Sequence, residues 1–378
     1  MTRPAARLLL SSLAILAAMA PFARAADDAK TPQAAKEKVF VGYLFGPPRD
    51  LNFSLYTHLC HAFITADGDG KLRPSRNVPD RKLTANAHKA GVKVLISLGG
   101  WGWDKQFGEI VSKPESEKRY VDSVIKMMDE NDYDGLDLDW EYPDTAEEVK
   151  GFERLTHTLR KRIDEVGKAK NRHMDLTMAA SSNKGTLSCL NKDFLLENMD
   201  WVNVMTYDYA GDWTSFAGHQ APLFGSSKAP DKSPRSTAQT MTYLLEERGI
   251  PADHLAVGLP LYGRGFPVSE PYASTKGVAK KRDPGGDYRN IAKLIKQGWT
   301  RTYDEETKTP WLTAPDRSAV IGYDDAESIR LKTEWAMSKG FRGVFFWQVN
   351  GDRLEDGTNP LQAAAYEAWL AGTPKPSK

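Results

Sequence analysis

The sequence predicts an α/β fold, a (β/α)8 barrel with a small α+β insertion between the seventh strand and the helix that follows it. Three observations predict it. Eight short strand-like runs recur along the chain, most of them separated by a helix-like run, and eight such units fit a closed parallel barrel better than an open sheet. No phosphate-binding glycine fingerprint follows the first run, which open nucleotide-binding sheets usually show. One interval of about sixty residues, from Gly265 to Asp325, breaks the alternation, too long for an ordinary loop and too ordered in composition for a linker.

The first 25 residues stand apart. Arg3 and Arg7 make a basic start, residues 8–20 an apolar stretch, and Ala23-Arg24-Ala25 a small-residue cleavage pattern. That reads as a secretory signal, too short for a comfortable membrane span, so a secreted or periplasmic protein is expected after its removal. Residues 26–37 read as a loose polar leader, and residues 38–372 as the barrel. Removing Arg3, Arg7 and Arg24 leaves 48 bases against 50 acids and moves the formal charge from +1 to −2. Nothing in that balance favours nucleic acid or an anionic membrane as partner. Cys60 and Cys189 read as two unpaired thiols, without metal-binding spacing. No metal and no cofactor is expected, and a monomer is.

Taken in order, the strand runs are 39–45, stopped by Gly46-Pro47-Pro48, and 58–64, ended by Asp67-Gly68-Asp69-Gly70. A short helix at 83–90 leads to 94–100, which exits on Gly99-Gly100. The fourth run, 136–140, lies between helix-like stretches carrying Tyr120, Val121, Val124, Ile125 and Met128 on one side, and Val149, Phe152, Leu155, Leu159 and Ile163 on the other. Runs at 176–180, 201–207, 255–261 and 343–347 complete the eight. The insertion, 265–320, carries Pro267, Pro271, Pro284-Gly285-Gly286 and Trp311. Helices near Ala326 and at 361–370 close the chain.

The fourth run holds the chemistry. Leu136, Leu138 and Trp140 alternate with Asp137, Asp139 and Glu141, so the two-residue period of a strand puts three carboxyl groups on one face. Between two helices both faces of that strand are covered. Acids turned inward must then be hydrogen-bonded, metal-bound or placed at the open strand end for chemistry. Asp134 is out of phase with the acidic face and reads as a structural hydrogen-bonding residue.

Other strand ends carry aromatic and polar residues: Tyr43, Phe63, Gly100 with Trp101 and Trp103, Met205, Tyr207, Asp208 and Tyr209, Tyr262 and Arg264, and Trp347. Aromatics gathered with acids suit a sugar ring, which offers a flat C–H face for stacking and hydroxyls to grip. Singly, Tyr43, Phe63 and Trp347 fit core packing as well as ligand contact. Asp208 fits a cap, and Arg264 the partner of a nearby acid.

Asp134-x-x-Asp137-x-Asp139-x-Glu141, with Ser97-x-Gly99-Gly100 before it and Met205-x-Tyr207-Asp208 after it, resembles glycoside hydrolase family 18, the chitinase family. Tyr262-Gly263-Arg264, Tyr323-Asp324-Asp325 and Trp347 extend the likeness over residues 38–370, closest to bacterial-type chitinases with an inserted lobe. The resemblance implies hydrolysis of β-1,4 bonds between N-acetylglucosamine units, with retention, the substrate's own acetamido group acting as nucleophile. It implies Glu141 as acid and base, and Asp139 as holder of the acetamido N–H. Asp137 would share a proton with Asp139, Tyr207 would bind the acetamido carbonyl, and Trp347 would form the floor. The remaining strand-end residues would line the sugar subsites. Three other functions compete: an endo-β-N-acetylglucosaminidase acting on N-glycan cores, a non-catalytic chitin-binding lectin, which Glu141 argues against, and a barrel hydrolase using a divalent metal, against which no His accompanies the acids at the strand ends.

Overall fold

The computed structural model describes Met1 and residues 36–47, 50–231, 235–279 and 283–373. Apart from Met1, the expected signal segment lies outside the described residues, as does most of the leader. Eight strands form the barrel: β1 (Val39–Phe45), β2 (His58–Ala66), β3 (Lys93–Gly99), β4 (Gly135–Asp139), β5 (Asp175–Ala180), β6 (Trp201–Val204), β7 (Leu255–Pro260) and β8 (Gly343–Trp347). Each pairs in parallel with the next, and β8 pairs with β1, Gly343 opposite Val39, which closes the sheet. A closed sheet leaves no unpaired edge.

Alternation along each strand sorts side chains between two cores. Outward residues such as Phe40, Leu59, Val94, Ile96, Leu136 and Leu138 meet the helices, while Val41, Tyr43, Cys60, Leu95, Trp201 and Phe345 fill the interior. Trp140 shows the outward phase of the acidic segment: it stacks on Phe107 at 5.0 Å and meets Phe152 edge-on at 6.3 Å. The helices flanking β4 are Pro114–Glu130 and Ala146–Lys170. The second begins with a capping box in which the Thr145 and Glu148 side chains satisfy each other's backbone N–H groups.

Among the barrel strand ends, that of β6 differs most from the sequence reading. β6 ends at Val204, not at 207, because the backbone turns locally: the Thr206 N–H donates to Val204 O and the Tyr207 N–H to Met205 O, which ends strand pairing. Among the described residues the connection from β1 to β2 carries a short 3-10 turn, Phe53–Leu55. The C-terminal helix, Pro360–Gly372, packs on β1, where Tyr366 and Trp369 lie 5.4 and 5.8 Å from the Phe40 ring.

The insertion is a five-stranded antiparallel sheet ordered Gly286–Asp287, Tyr262–Phe266, Val320–Gly322, Thr309–Thr313, Thr300–Asp304, with the helix Tyr288–Lys296 against it. It starts at Tyr262, directly after β7, and ends at Gly322, where Gly322 pairs with Arg264. Both thiols are free, Cys60 buried and Cys189 exposed. Among the described residues no helix is long and apolar enough to cross a membrane.

Candidate active site

Strand register assembles the centre. Ser97 on β3 and Thr177 on β5 sit opposite Asp137 on β4. Their hydroxyls donate to Asp137, Ser97 to Oδ2 at 2.7 Å and Thr177 to Oδ1 at 2.6 Å, and the Asn203 amide reaches Oδ1 at 3.4 Å. The same amide donates to the Tyr43 hydroxyl at 3.1 Å. Burial pushes the Asp137 carboxyl up, and these donors pull the other way. Asp137 is thereby fully engaged.

Asp139 is not. It is buried, and among the described residues its Oδ1 has no hydrogen-bond partner. Burial, then the charges of Glu141 and Asp137, push its pKa well above the usual carboxylate range. A buried, unpartnered carboxyl oxygen marks a place where a ligand donor fits. Glu141 follows in phase at the strand end, half-buried, with the Tyr142 hydroxyl donating to its Oε2 at 3.0 Å. Burial raises the Glu141 pKa, the Tyr142 hydrogen bond lowers it, and the charge of Asp208 raises it.

Aromatic rings surround these acids. Tyr207 is buried, 6.1 Å from both Tyr262 and Phe345, with its pKa pushed up by burial first. Gly258 makes room for it, since a Cβ there would lie 2.9 Å from the Tyr207 ring. Trp347, at the end of β8, stacks on Phe63 at 5.6 Å and lies 5.9 Å from Tyr43 and from Phe45. Gly100, at φ +92°, approaches Phe63 so closely that a Cβ would lie 2.7 Å from its ring, so only glycine fits. Met205 and Tyr262 pack against the same interior cluster. Arg264 forks onto Asp208 at 2.8 and 2.9 Å, and its guanidinium lies 5.2 Å from the Tyr262 ring and 5.3 Å from the Trp213 ring.

Trp101 is 80 % exposed; folding gains little from an indole left in water, which fits a ligand platform. Trp103 is half-buried at the start of the helix Asp104–Val111, in a small pocket with Phe107 and Tyr120. Asp134 lies at the opposite end of β4, where it accepts from the Val94 N–H at 2.8 Å and pairs with His88 and Arg172. Tyr209 departs from the cleft role expected of it: its ring is buried, its N–H donates to Gln220 O at 2.9 Å, and its hydroxyl is committed to Thr240 at 2.8 Å.

The sequence reading passed over several neighbours. Asn203 and Thr177 are polar residues at inward strand positions, a signal that strand period and register would have exposed. Phe45 and Trp213, 53 % and 54 % exposed, extend the aromatic surface. Tyr142 stands beside Glu141 but out of the inward phase, so alternation did not single it out.

Among the described residues, one group has ligand atoms close enough for a metal ion: His173, Asp175 and Asp200, toward the N-terminal ends of β5 and β6. Lys93 already pairs with Asp175 and Arg160 with Asp200.

Comparison with known proteins identifies the family. Residues 32–352 match the family described as Glycosyl hydrolases family 18. Class V chitinase of Arabidopsis thaliana is 31 % identical over 342 residues, covering 86 % of this chain and 87 % of that protein. Chitinase 1 of Aphanocladium album is 27 % identical over 81 % of this chain and 78 % of that protein. Among solved structures, a GH18 chitinase from Cycas revoluta in complex with (GlcNAc)4 is similar with a TM-score of 0.78 and 27 % identity, covering 88 % of this chain and 99 % of that one. Match and geometry together place this chain in glycosyl hydrolase family 18.

Proposed function

We propose that the protein hydrolyses β-1,4 bonds between N-acetylglucosamine units of chitin or its oligosaccharides, with retention, through attack by the substrate's own acetamido oxygen. The observation that carries this reading is Asp139, a buried carboxyl with one oxygen unpartnered, coupled to the charge of Glu141. In a retaining two-carboxylate scheme one acid must be the nucleophile. Asp139 is a poor one, because burial and two neighbouring charges favour its neutral form, and Asp137 is held by Ser97 and Thr177. The nucleophile is therefore assigned to the substrate.

In the first step the acetamido oxygen bonds to the anomeric carbon while the glycosidic C–O bond breaks, and Glu141 gives its proton to the leaving oxygen. Asp139 accepts the acetamido N–H, the Tyr207 hydroxyl donates to the acetamido oxygen, and Trp347 supports the sugar ring. The cationic oxazolinium ring forms beside the acidic cluster, whose negative charge stabilises it. Glu141 then takes a proton from water as the water oxygen bonds to the anomeric carbon and the ring opens. The raised pKa of Glu141 suits a group that must first be an acid. Export through the N-terminal segment belongs to the same proposal, since an insoluble or extracellular polysaccharide is met outside the cytoplasm.

Glu141→Gln tests the assignment on N-acetylglucosamine oligomers. The variant is expected to lose several orders of magnitude in kcat and to keep its affinity for the oligomer. Equal rates for variant and parent would remove Glu141 from the reaction.

A further inference from the structure

A second cavity opens between the loop joining β6 to β7 and the lobe. It measures about 40 Å³ and is lined by Tyr209, Phe216, His219, Ser226, Tyr272 and Thr307, among others. His219 is buried, with its ring 4.1 Å from that of Trp311, and among the described residues neither of its nitrogens has a hydrogen-bond partner. Asp304 lies 3.7 Å from Nε2, beyond hydrogen-bond reach, and its own oxygens accept from the Tyr272 hydroxyl at 2.9 Å and the Glu306 N–H at 3.1 Å. A buried imidazole with both nitrogens idle is costly, and such groups recur where a ligand completes the bonding.

We propose that this seam is a second ligand site, taking a neutral polyhydroxyl compound of the sugar class with one hydroxymethyl or hydroxyl arm inserted beside His219. Size and charge select that class. The cavity holds about three water-sized groups, enough for one arm of a sugar whose ring rests at the mouth. Asp304 and Asp231 stand against an anion, and Lys228 and Arg235 against a cation. Burial lowers the His219 pKa, with Asp304 acting in the opposite direction, which leaves an imidazole with one donor and one acceptor. A hydroxyl answers both. Phe216 and Tyr272 supply aromatic surface for C–H contact. None of Glu141, Asp139, Tyr207 or Trp347 lines this cavity.

The probe is N-acetylglucosamine, a choice that rests on the reaction proposed above; hydrolysis by the same preparation is assayed in parallel, so the two ideas fail separately. The sugar is titrated against the full chain carrying ¹⁵N-histidine, and the His219 ring signal is identified among the 7 histidines by its loss in His219→Gln. A saturable movement of that signal is expected, with the same midpoint in Trp347→Ala, which weakens the catalytic cleft. Ala229→Leu, which fills the cavity from its rim, is expected to raise the midpoint about tenfold or more and to leave hydrolysis unchanged. A signal that stays still while hydrolysis is normal, or that moves in the parent but not in Trp347→Ala, overturns the proposal. Should His219→Gln fail to fold, His219→Phe, which keeps an aromatic ring against Trp311, identifies the signal by the same loss.

Discussion

At the scale of single residues, the chemistry turns on how one strand treats three like carboxyls differently. Asp137 is held by hydroxyls from both neighbouring strands, Asp139 is left with an idle oxygen, and Glu141 reaches the mouth with only Tyr142 on it. In the proposed reaction Glu141 is the general acid and works while protonated, so the rate is expected to fall as pH rises through its pKa. The Tyr142 hydrogen bond lowers that pKa. Tyr142→Phe is therefore expected to raise it and move the basic limb of the kcat/KM profile to higher pH; an unmoved limb, or one shifted to lower pH, counts against this role. The three acids were legible in the sequence because strand period two is a strong signal over five residues. Tyr142 and Trp213 were not, since one lies out of phase and the other sits in a loop whose path only the packed lobe determines.

At the scale of elements, most strands were legible from apolar runs bounded by glycine, proline and acidic turns, and the misread end of β6 came from hydrogen bonds that no composition reveals. The first crossover meets the distant C-terminal helix, where the Tyr56 hydroxyl donates to Gln362, a contact across nearly the whole chain. Two polar anchors join elements in ways that can be measured. Lys332, fully buried in the helix Ala326–Ser338, holds both Asp324 oxygens at 2.6 Å and also donates to Ala221 O. Burial opposes both charges, so removing one partner strands the other. Lys332→Met is expected to cost about 3–5 kcal/mol in urea unfolding, with much of it recovered in the double variant with Asp324→Leu. Asp175, at the start of β5, is the second anchor. Burial alone would raise its pKa, but His58 and Lys93 bring it down to about 2. A carboxyl depressed in the folded state stabilises above its unfolded pKa of about 3.9. That contribution, roughly 2–3 kcal/mol, is lost as pH falls from about 4 toward about 2. Acid unfolding of Asp175→Asn, compared with the parent, is expected to show a flatter slope in that window; equal slopes would assign the acid limb elsewhere.

At the scale of the whole molecule, the closed sheet turns the inward residues of β3, β4, β5 and β6 toward one another, and the lobe brings Arg264 against Asp208 beside the same mouth. The sequence pattern carried the barrel and the acidic strand, whereas subsite walls depended on loops such as the one that turns Tyr209 away. The most direct measurement is cleavage of a chito-oligosaccharide in which the sugar beside the scissile bond bears a free amine in place of its acetamido group. Cleavage at that bond is expected to stop while bonds next to acetylated sugars are still cut. Unimpaired cleavage there would place the nucleophile on the enzyme and contradict the account.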